Sequence, residues 1–250
     1  VWGGHCPGSG KSSAADGLAR LGHNSIMTWS ELSEWWLSEI EEDPAYEAAV
    51  TPMLLDVVRP EPGWTYLDLG CGEGRVMRAV TESGASVHGV ELTQSLARRA
   101  AESGPVVVGR LPDLGFLRDD SYDGAFCVLA LEHIEDEGRL FAEAARAVRP
   151  SGVFALVINH PFRTAPGATP ISDSDGETLW RPGDYFSSGT TLEPAGEGQM
   201  LFHHRNTARI LESAAAVGWY LERFVEVPHH ELDDQAGIPR LLACRWRLLP

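Results

Sequence analysis

Tyr66-Leu67-Asp68-Leu69-Gly70-Cys71-Gly72-Glu73-Gly74-Arg75 reads as a buried strand that breaks into a glycine turn and then enters a helix. Glycine adopts backbone dihedrals closed to other residues and lets the chain approach a bound ligand closely. A helix start beyond such a turn presents free N–H groups. Glu91 closes the next strand-like run, and a carboxylate roughly 20 residues after a glycine turn is where a ribose diol can be held by two hydrogen bonds. Together these features describe a nucleoside site at the carboxyl edge of a parallel sheet. The spacing is GxGxG rather than the dinucleotide GxGxxG, which speaks against a nicotinamide enzyme.

The flanking residues alternate regularly. Strands are predicted over 64–69, 86–91, 105–108, 121–129 and 153–159, and helices over 74–83, 93–102 and 135–148. Pro150-Ser151-Gly152 reads as a turn into the fifth strand. A helix over 206–217 and strands over 219–227 and 239–248 follow. Strands and helices alternating at these lengths specify an α/β fold, a doubly wound, mostly parallel sheet. Upstream, Trp29, Leu32, Trp35, Trp36, Leu37 and Ile40 recur at three-to-four spacing with glutamates between them, predicting a helix. Asp43-Pro44 breaks it, and 46–58 offers a second helix. The stretch 160–202, rich in Pro, Gly, Ser and Thr, interrupts the rhythm and is expected to be a substrate-side insertion. Residues 27–250 thus read as a single domain in which 27–60 form a helical lid, and 1–26 as a disordered extension. Within that extension His5-Cys6-Pro7-Gly8-Ser9-Gly10-Lys11-Ser12 nearly matches a phosphate-binding P-loop, but His5 stands where the first glycine belongs.

Composition narrows the function. The formal net charge is −16 over 250 residues, and Lys11 is the sole lysine. A nucleic-acid binder needs concentrated basic surface to displace counterions from phosphates, so no nucleic-acid partner is expected and small molecules are the better substrates. No apolar run approaches the ~18–20 residues of a membrane span. Cys6, Cys71, Cys127 and Cys244 are scattered and form no CxxC pair, which argues against a zinc site and a disulfide framework. A cytoplasmic location is the expectation.

Leu67-Asp68-Leu69-Gly70-Cys71-Gly72-Glu73-Gly74 resembles the first motif of class I S-adenosylmethionine-dependent methyltransferases of the small-molecule type. Val87-His88-Gly89-Val90-Glu91-Leu92-Thr93 is similar to that family's second strand, and Tyr122-Asp123-Gly124-Ala125-Phe126 with Leu131-Glu132-His133-Ile134 to its fourth strand and following loop. Residues 144–152 resemble the segment that leads into the fifth strand. The resemblance implies a seven-stranded Rossmann-like methyltransferase fold with S-adenosylmethionine as cofactor. It further implies that Gly70 and Gly72 pass beside the methionine part of the cofactor and that Asp68 reaches its ammonium, directly or through water. Glu91 would take the ribose hydroxyls and Leu92 pack on the adenine. The N–H of Leu111 would meet an adenine nitrogen, and a carbonyl near Cys127 and Val128 the amino group. Arg110 stands where the family often has an acid, which leaves the adenine end less well specified than the ribose end.

Methyl transfer from a sulfonium asks the protein to align the reactants, exclude water and deprotonate the nucleophile where its pKa demands it. Histidine suits the last task. His133, after the fourth strand, is the candidate catalytic base, with a structural role in its loop as the alternative. His203 and His204 are read as helix-entry residues that could also face the pocket, and His160 ends the fifth strand. Trp180, Tyr185 and Phe186 are expected to wall the acceptor, and Tyr46 to belong to the lid. The leading reading is methyl transfer to an oxygen or nitrogen of a small molecule. Methylation of RNA or protein, a non-catalytic cofactor-binding subunit, and a nicotinamide dehydrogenase are the competing ones.

Overall fold

The computed structural model describes residues 26–42, 46–228 and 237–250. The P-loop-like stretch and, apart from Ile26, the 1–26 segment lie outside these residues. Seven strands form the central sheet: β1 (Thr65–Leu69), β2 (Ser86–Glu91), β3 (Val106–Val108), β4 (Tyr122–Val128), β5 (Val148–Asn159), β10 (Trp219–Pro228) and β11 (Pro239–Leu248). Their order is β10-β11-β5-β4-β1-β2-β3. β3, β2, β1, β4 and β5 pair in parallel, while β11 runs antiparallel between β5 and β10.

Helices cover both faces, so the central strands are apolar on each side. In β1, Leu67 and Leu69 join the core under α5 (Glu137–Ala147) and α7 (Thr207–Ala215), with Phe141, Phe154, Trp219 and Trp246. Tyr66 faces the other way, into a core with Val50, Leu54, Val57, Met77, Val80 and Phe126 from α2 (Thr51–Val58), α3 (Arg75–Thr81) and their neighbours. The Trp219 indole N–H donates to the Phe141 carbonyl at 3.0 Å, so this large ring is buried with its donor satisfied. Each fully buried aromatic of this kind contributes ~1.5–3 kcal/mol. α4 (Gln94–Ala100) completes the alternation between β2 and β3. Among the described residues no helix is long and apolar enough to cross a membrane.

Three local expectations change. The helix over 46–58 opens with a π-helical turn, Tyr46–Val50, because Pro52 lacks an N–H and its ring displaces the carbonyl four residues back. Pro150-Ser151-Gly152 is not a turn between helix and strand but an irregularity inside β5, which starts at Val148; Ser151 has φ +66°, and the register shifts between Tyr122 and Gly124. The 160–202 stretch is two hairpins rather than a loop. They are β6 (Thr169–Ser172) with β7 (Thr178–Arg181), and β8 (Thr190–Ala195) with β9 (Gly198–His203), preceded by the short α6 (Pro161–Thr164). Their short strands hide behind Gly, Pro, Ser and Thr.

The β8–β9 hairpin packs on α1 (Trp29–Glu42) through a third, separate cluster. Leu32, Ala195, Met200 and Phe202 are its buried members, and Met27, Trp29 and Trp35 lean on it. A backbone hydrogen bond from Met27 N to Gln199 O at 2.9 Å ties the two elements together.

Candidate active site

β1 ends in a turn whose geometry demands its glycines. Gly70, Gly72 and Gly74 have φ of +86°, +53° and +88°. A Cβ on Gly70 would lie 2.7 Å from the Ala130 Cβ, so the turn also needs glycine to pass close to the loop after β4. On Gly72 a Cβ would meet nothing within 4 Å. Glu91 at the end of β2 grips this turn: one oxygen accepts from Gly72 N at 3.0 Å and the other from Thr93 N at 2.8 Å. The carboxylate is buried, and burial raises its pKa against the opposing pull of these amides. A carboxylate offers about four lone-pair sites; two on Glu91 are used by these amides, and the rest can accept hydroxyls.

Asp68 lies fully buried beside the turn, and neither carboxylate oxygen has a hydrogen-bond partner. Burial first, then Glu91 and Glu73, pushes its pKa well above the usual carboxylate range. A buried, unpaired carboxylate is costly, which makes this one a waiting acceptor for a cation or strong donor.

The turn forms one wall of a cavity that encloses about 930 Å³ of empty space, its solvent-open mouth included. Glu73, Glu91, Leu92, Arg110 and Leu111 lie on it, as do Val128, Leu129 and Ala130 after β4. Trp29, Trp36, Tyr46 and His133 close the other side. His133 ends the 3-10 turn Leu131–His133. Its ring stacks edge-to-face on Trp29 at 4.8 Å and on Phe202 at 4.6 Å. Nδ1 is buried with no hydrogen-bond partner, and the Leu201 backbone lies near the ring. Burial pulls the pKa down to about 4, so the imidazole is neutral at neutral pH.

The methyltransferase domain family matches residues 67–156, the stretch that builds both the glycine turn and the His133 loop. The chain is 33% identical over 146 residues to a ubiquinone biosynthesis O-methyltransferase of Thiobacillus denitrificans, covering 54% of this chain and 62% of that protein. It is 28% identical to a solved S-adenosylmethionine-dependent methyltransferase of Mesorhizobium loti, with a TM-score of 0.68 over 83% of this chain and 99% of the other. Residues 67–156 thus match a methyltransferase domain, on a fold shared with S-adenosylmethionine-dependent methyltransferases. A Burkholderia thailandensis 1,6-didemethyltoxoflavin-N1-methyltransferase, solved with S-adenosylhomocysteine, shares the fold at 19% identity and a TM-score of 0.58, covering 91% of this chain and 94% of the other. The chain spans about three fifths of the length of the curated relatives it matches.

Within this methyltransferase fold the predicted residues divide. Gly70, Gly72, Glu91, Leu92, Leu111 and His133 share the one cavity. Asp68 adjoins it without lining it, held behind the turn. Cys127 is fully buried inside β4, opposite Leu156 of β5, and the wall is formed instead by Val128, Leu129 and Ala130. His160 caps α6, accepting from Phe162 N at 3.1 Å and meeting Glu226 at 2.7 Å, away from the cavity. His204 bonds the Tyr185 carbonyl at 2.9 Å, and His203 borders a separate small cleft with Asn159 and Thr164. Trp180, Tyr185 and Phe186 do not line the cavity. Trp180 donates to the Phe162 carbonyl and lies under Arg163, Tyr185 donates to the Thr207 hydroxyl, and Phe186 is 83% exposed. The aromatic wall comes from α1 and the π-helical turn.

Sequence reasoning missed two polar anchors. Glu132 reaches across to the end of β5, accepting from Asn159 N at 2.9 Å and from its side-chain amide at 3.2 Å. Arg205 closes a buried pair with Glu137. Its only signal was a lone arginine at the end of a histidine-rich stretch. Among the described residues no cluster of His, Cys, Asp and Glu could hold a metal.

Proposed function

We propose that the protein transfers a methyl group from S-adenosylmethionine to an oxygen or nitrogen of a small-molecule acceptor. The observation that carries this reading is one cavity with a glycine turn and the buried Glu91 on one wall, the unpartnered Asp68 just behind that turn, and His133 on the opposite wall. The acidic end fits the cofactor. Asp68 lacks a partner for both oxygens and would take the ammonium, directly or through water. Glu91 retains lone pairs for the two ribose hydroxyls, and Leu92, partly exposed on the cavity wall, offers the adenine an apolar surface.

S-Adenosylmethionine, when bound, supplies a methyl group already activated on a positively charged sulfur. The protein's own part is alignment, exclusion of water and proton removal. Trp29, Trp36 and Tyr46 roof the cavity as a lid and dry it. His133 is the base: its neutral ring, held edge-on between Trp29 and Phe202, is the acceptor for the nucleophile's proton. The net charge of −16 favours small acceptors over nucleic acid. The described cysteines, Cys71, Cys127 and Cys244, are free and buried, which suits a reducing cytoplasm.

The test is a cofactor-consumption screen over phenols, catechols, aromatic amines and heterocycles, read as S-adenosylhomocysteine formed and a 14 Da mass gain on the acceptor. At least one aromatic hydroxyl or ring nitrogen should be methylated. Binding of the cofactor with no turnover on any small molecule, and turnover on RNA or a protein instead, would reject the reading.

A further inference from the structure

The segment that follows β9 carries a buried guanidinium whose five N–H donors, the full capacity of arginine, all have acceptors. Arg205 Nε donates to Glu137 at 2.8 Å. One terminal nitrogen donates to the carbonyls of Leu131 at 3.1 Å and His203 at 3.2 Å. The other donates to the Ile134 carbonyl and, at 2.8 Å, to the Glu135 carbonyl. Arg205 and Glu137 are each 4% exposed at the side chain, and Arg209 pairs with the second Glu137 oxygen. Leu131, Ile134 and Glu135 bracket His133 on both sides.

A buried ion pair is weak evidence for stability, because desolvation offsets much of its attraction. What the Arg205 fork does supply is geometry: it pins three carbonyls of one short loop to a rigid plane. The neighbouring residues of β9 act on the same histidine. The Leu201 backbone lies near the ring, and the Phe202 ring packs edge-to-face on it at an interplanar angle of 73°. Residues 201–205 therefore constrain His133 in backbone and ring tilt at once, from a part of the chain about seventy residues away.

We propose that Arg205 is a positioning residue, locking the 131–135 loop so that His133 presents a single tautomer and ring orientation to the cavity. This rests on the reading of His133 as the base for its catalytic meaning, but the positioning itself is observable without turnover. A flexible loop would let the imidazole leave its Leu201 and Phe202 contacts and exchange between its two neutral tautomers, only one of which leaves the cavity-facing nitrogen free to accept a proton. Lysine at 205 keeps the charge and loses the planar fork.

The experiment is nitrogen-15 NMR of the histidine rings in the full chain saturated with S-adenosylhomocysteine as probe, with His133→Gln used to assign the signal. In the unaltered chain His133 should show one neutral tautomer alone. In Arg205→Lys the minor tautomer should rise from under about a tenth to near about a half, while the Gly72 amide shift and the probe's Kd, within about twofold, stay unchanged. Should Arg205→Lys fail to fold by circular dichroism, Glu137→Gln, which removes the guanidinium's charge partner at constant shape, should show the same change to a smaller degree. A single, unmoved His133 tautomer in whichever variant folds overturns the proposal, as does a shift of the Gly72 amide as large as that of His133, which would mean general loosening. Loss of tautomer control alongside unaltered turnover in His133→Gln would leave the positioning intact and remove the base assignment instead.

Discussion

The two ends of the cavity are built differently. The acidic end is made of backbone: a glycine turn between β1 and α3 whose Gly72 amide is drawn onto Glu91, which also takes the Thr93 amide after β2. The aromatic end is made of side chains, where Trp29, Trp36, Tyr46 and His133 are brought together by α1, a π-helical turn, a 3-10 turn and a hairpin. The first rests on the large cores beneath the sheet. The second leans on a small cluster around Leu32, Met200 and Phe202. Backbone recognition suits a ligand that never varies. A wall of packed side chains can be altered without disturbing the sheet, which suits the variable partner of the reaction.

The sharpest way to break this comparison is to substitute each end and ask which constant moves. His133→Gln should lower kcat by about 10²–10⁴-fold, the usual range for removing a general base, with the cofactor Kd within about twofold. Steady-state kinetics and calorimetry together would show it, and an unchanged kcat would exclude the base. At the other end, Glu91→Ala should weaken cofactor binding about a hundredfold or more, since two hydrogen bonds to a charged group are worth ~1.5–3 kcal/mol each and the Gly72 amide loses its anchor as well.

pH separates the ends further. Asp68 has its pKa raised in the fold, so the free protein holds that proton more tightly than the unfolded chain does. Its contribution favours the fold at low pH and is lost as pH rises through the raised value. His133 is the reverse: its pKa falls from 6.5 unfolded to about 4, so its contribution is present at neutral pH and is lost as pH drops through that window. Asp68→Asn should therefore raise the Tm of the free protein at neutral pH by a few degrees, roughly what ~1 kcal/mol gives in a chain of this size, while weakening the cofactor about tenfold or more. Calorimetry of the unaltered chain in two buffers of different ionisation enthalpy should detect proton release on cofactor binding as Asp68 ionises against the ammonium. The smallest effect should come from Phe186→Ala. The ring is exposed and off the cavity, so turnover and Tm should stay within error, and a large loss of turnover would return the acceptor wall to the 160–202 insertion.

The same division governs what could be read from the chain. The strand, turn and acid from Leu67 to Glu91 lie within 25 residues, and their roles follow from local dihedrals and alternation, so the sheet, the turn and the cavity's acidic wall were all legible. Of the pair expected to offer a carbonyl, Val128 lines the cavity while the Cys127 side chain is buried inside the sheet, since the end of β4 is set by its pairing with β5 and not by its own pattern. Trp180, Tyr185 and Phe186 were misread as a wall because aromatic content marks burial of some kind but not its partner; Trp180 found Arg163. The Trp35-Trp36 pair read equally well as plain core packing; Trp35 does lean on the hairpin cluster, while Trp36 joins Trp29 on the cavity. The Arg205 fork spans seventy residues to carbonyls that leave no trace in side-chain spelling. Long-range polar contacts to backbone are the part that pattern cannot reach.

The most direct test is a calorimetric titration of the unaltered protein with S-adenosylmethionine, S-adenosylhomocysteine and NAD in parallel. The account predicts saturable one-to-one binding of both sulfur compounds, mutual competition between them, and no heat from NAD. Absence of binding by either sulfur compound, or tighter binding of NAD, would contradict it.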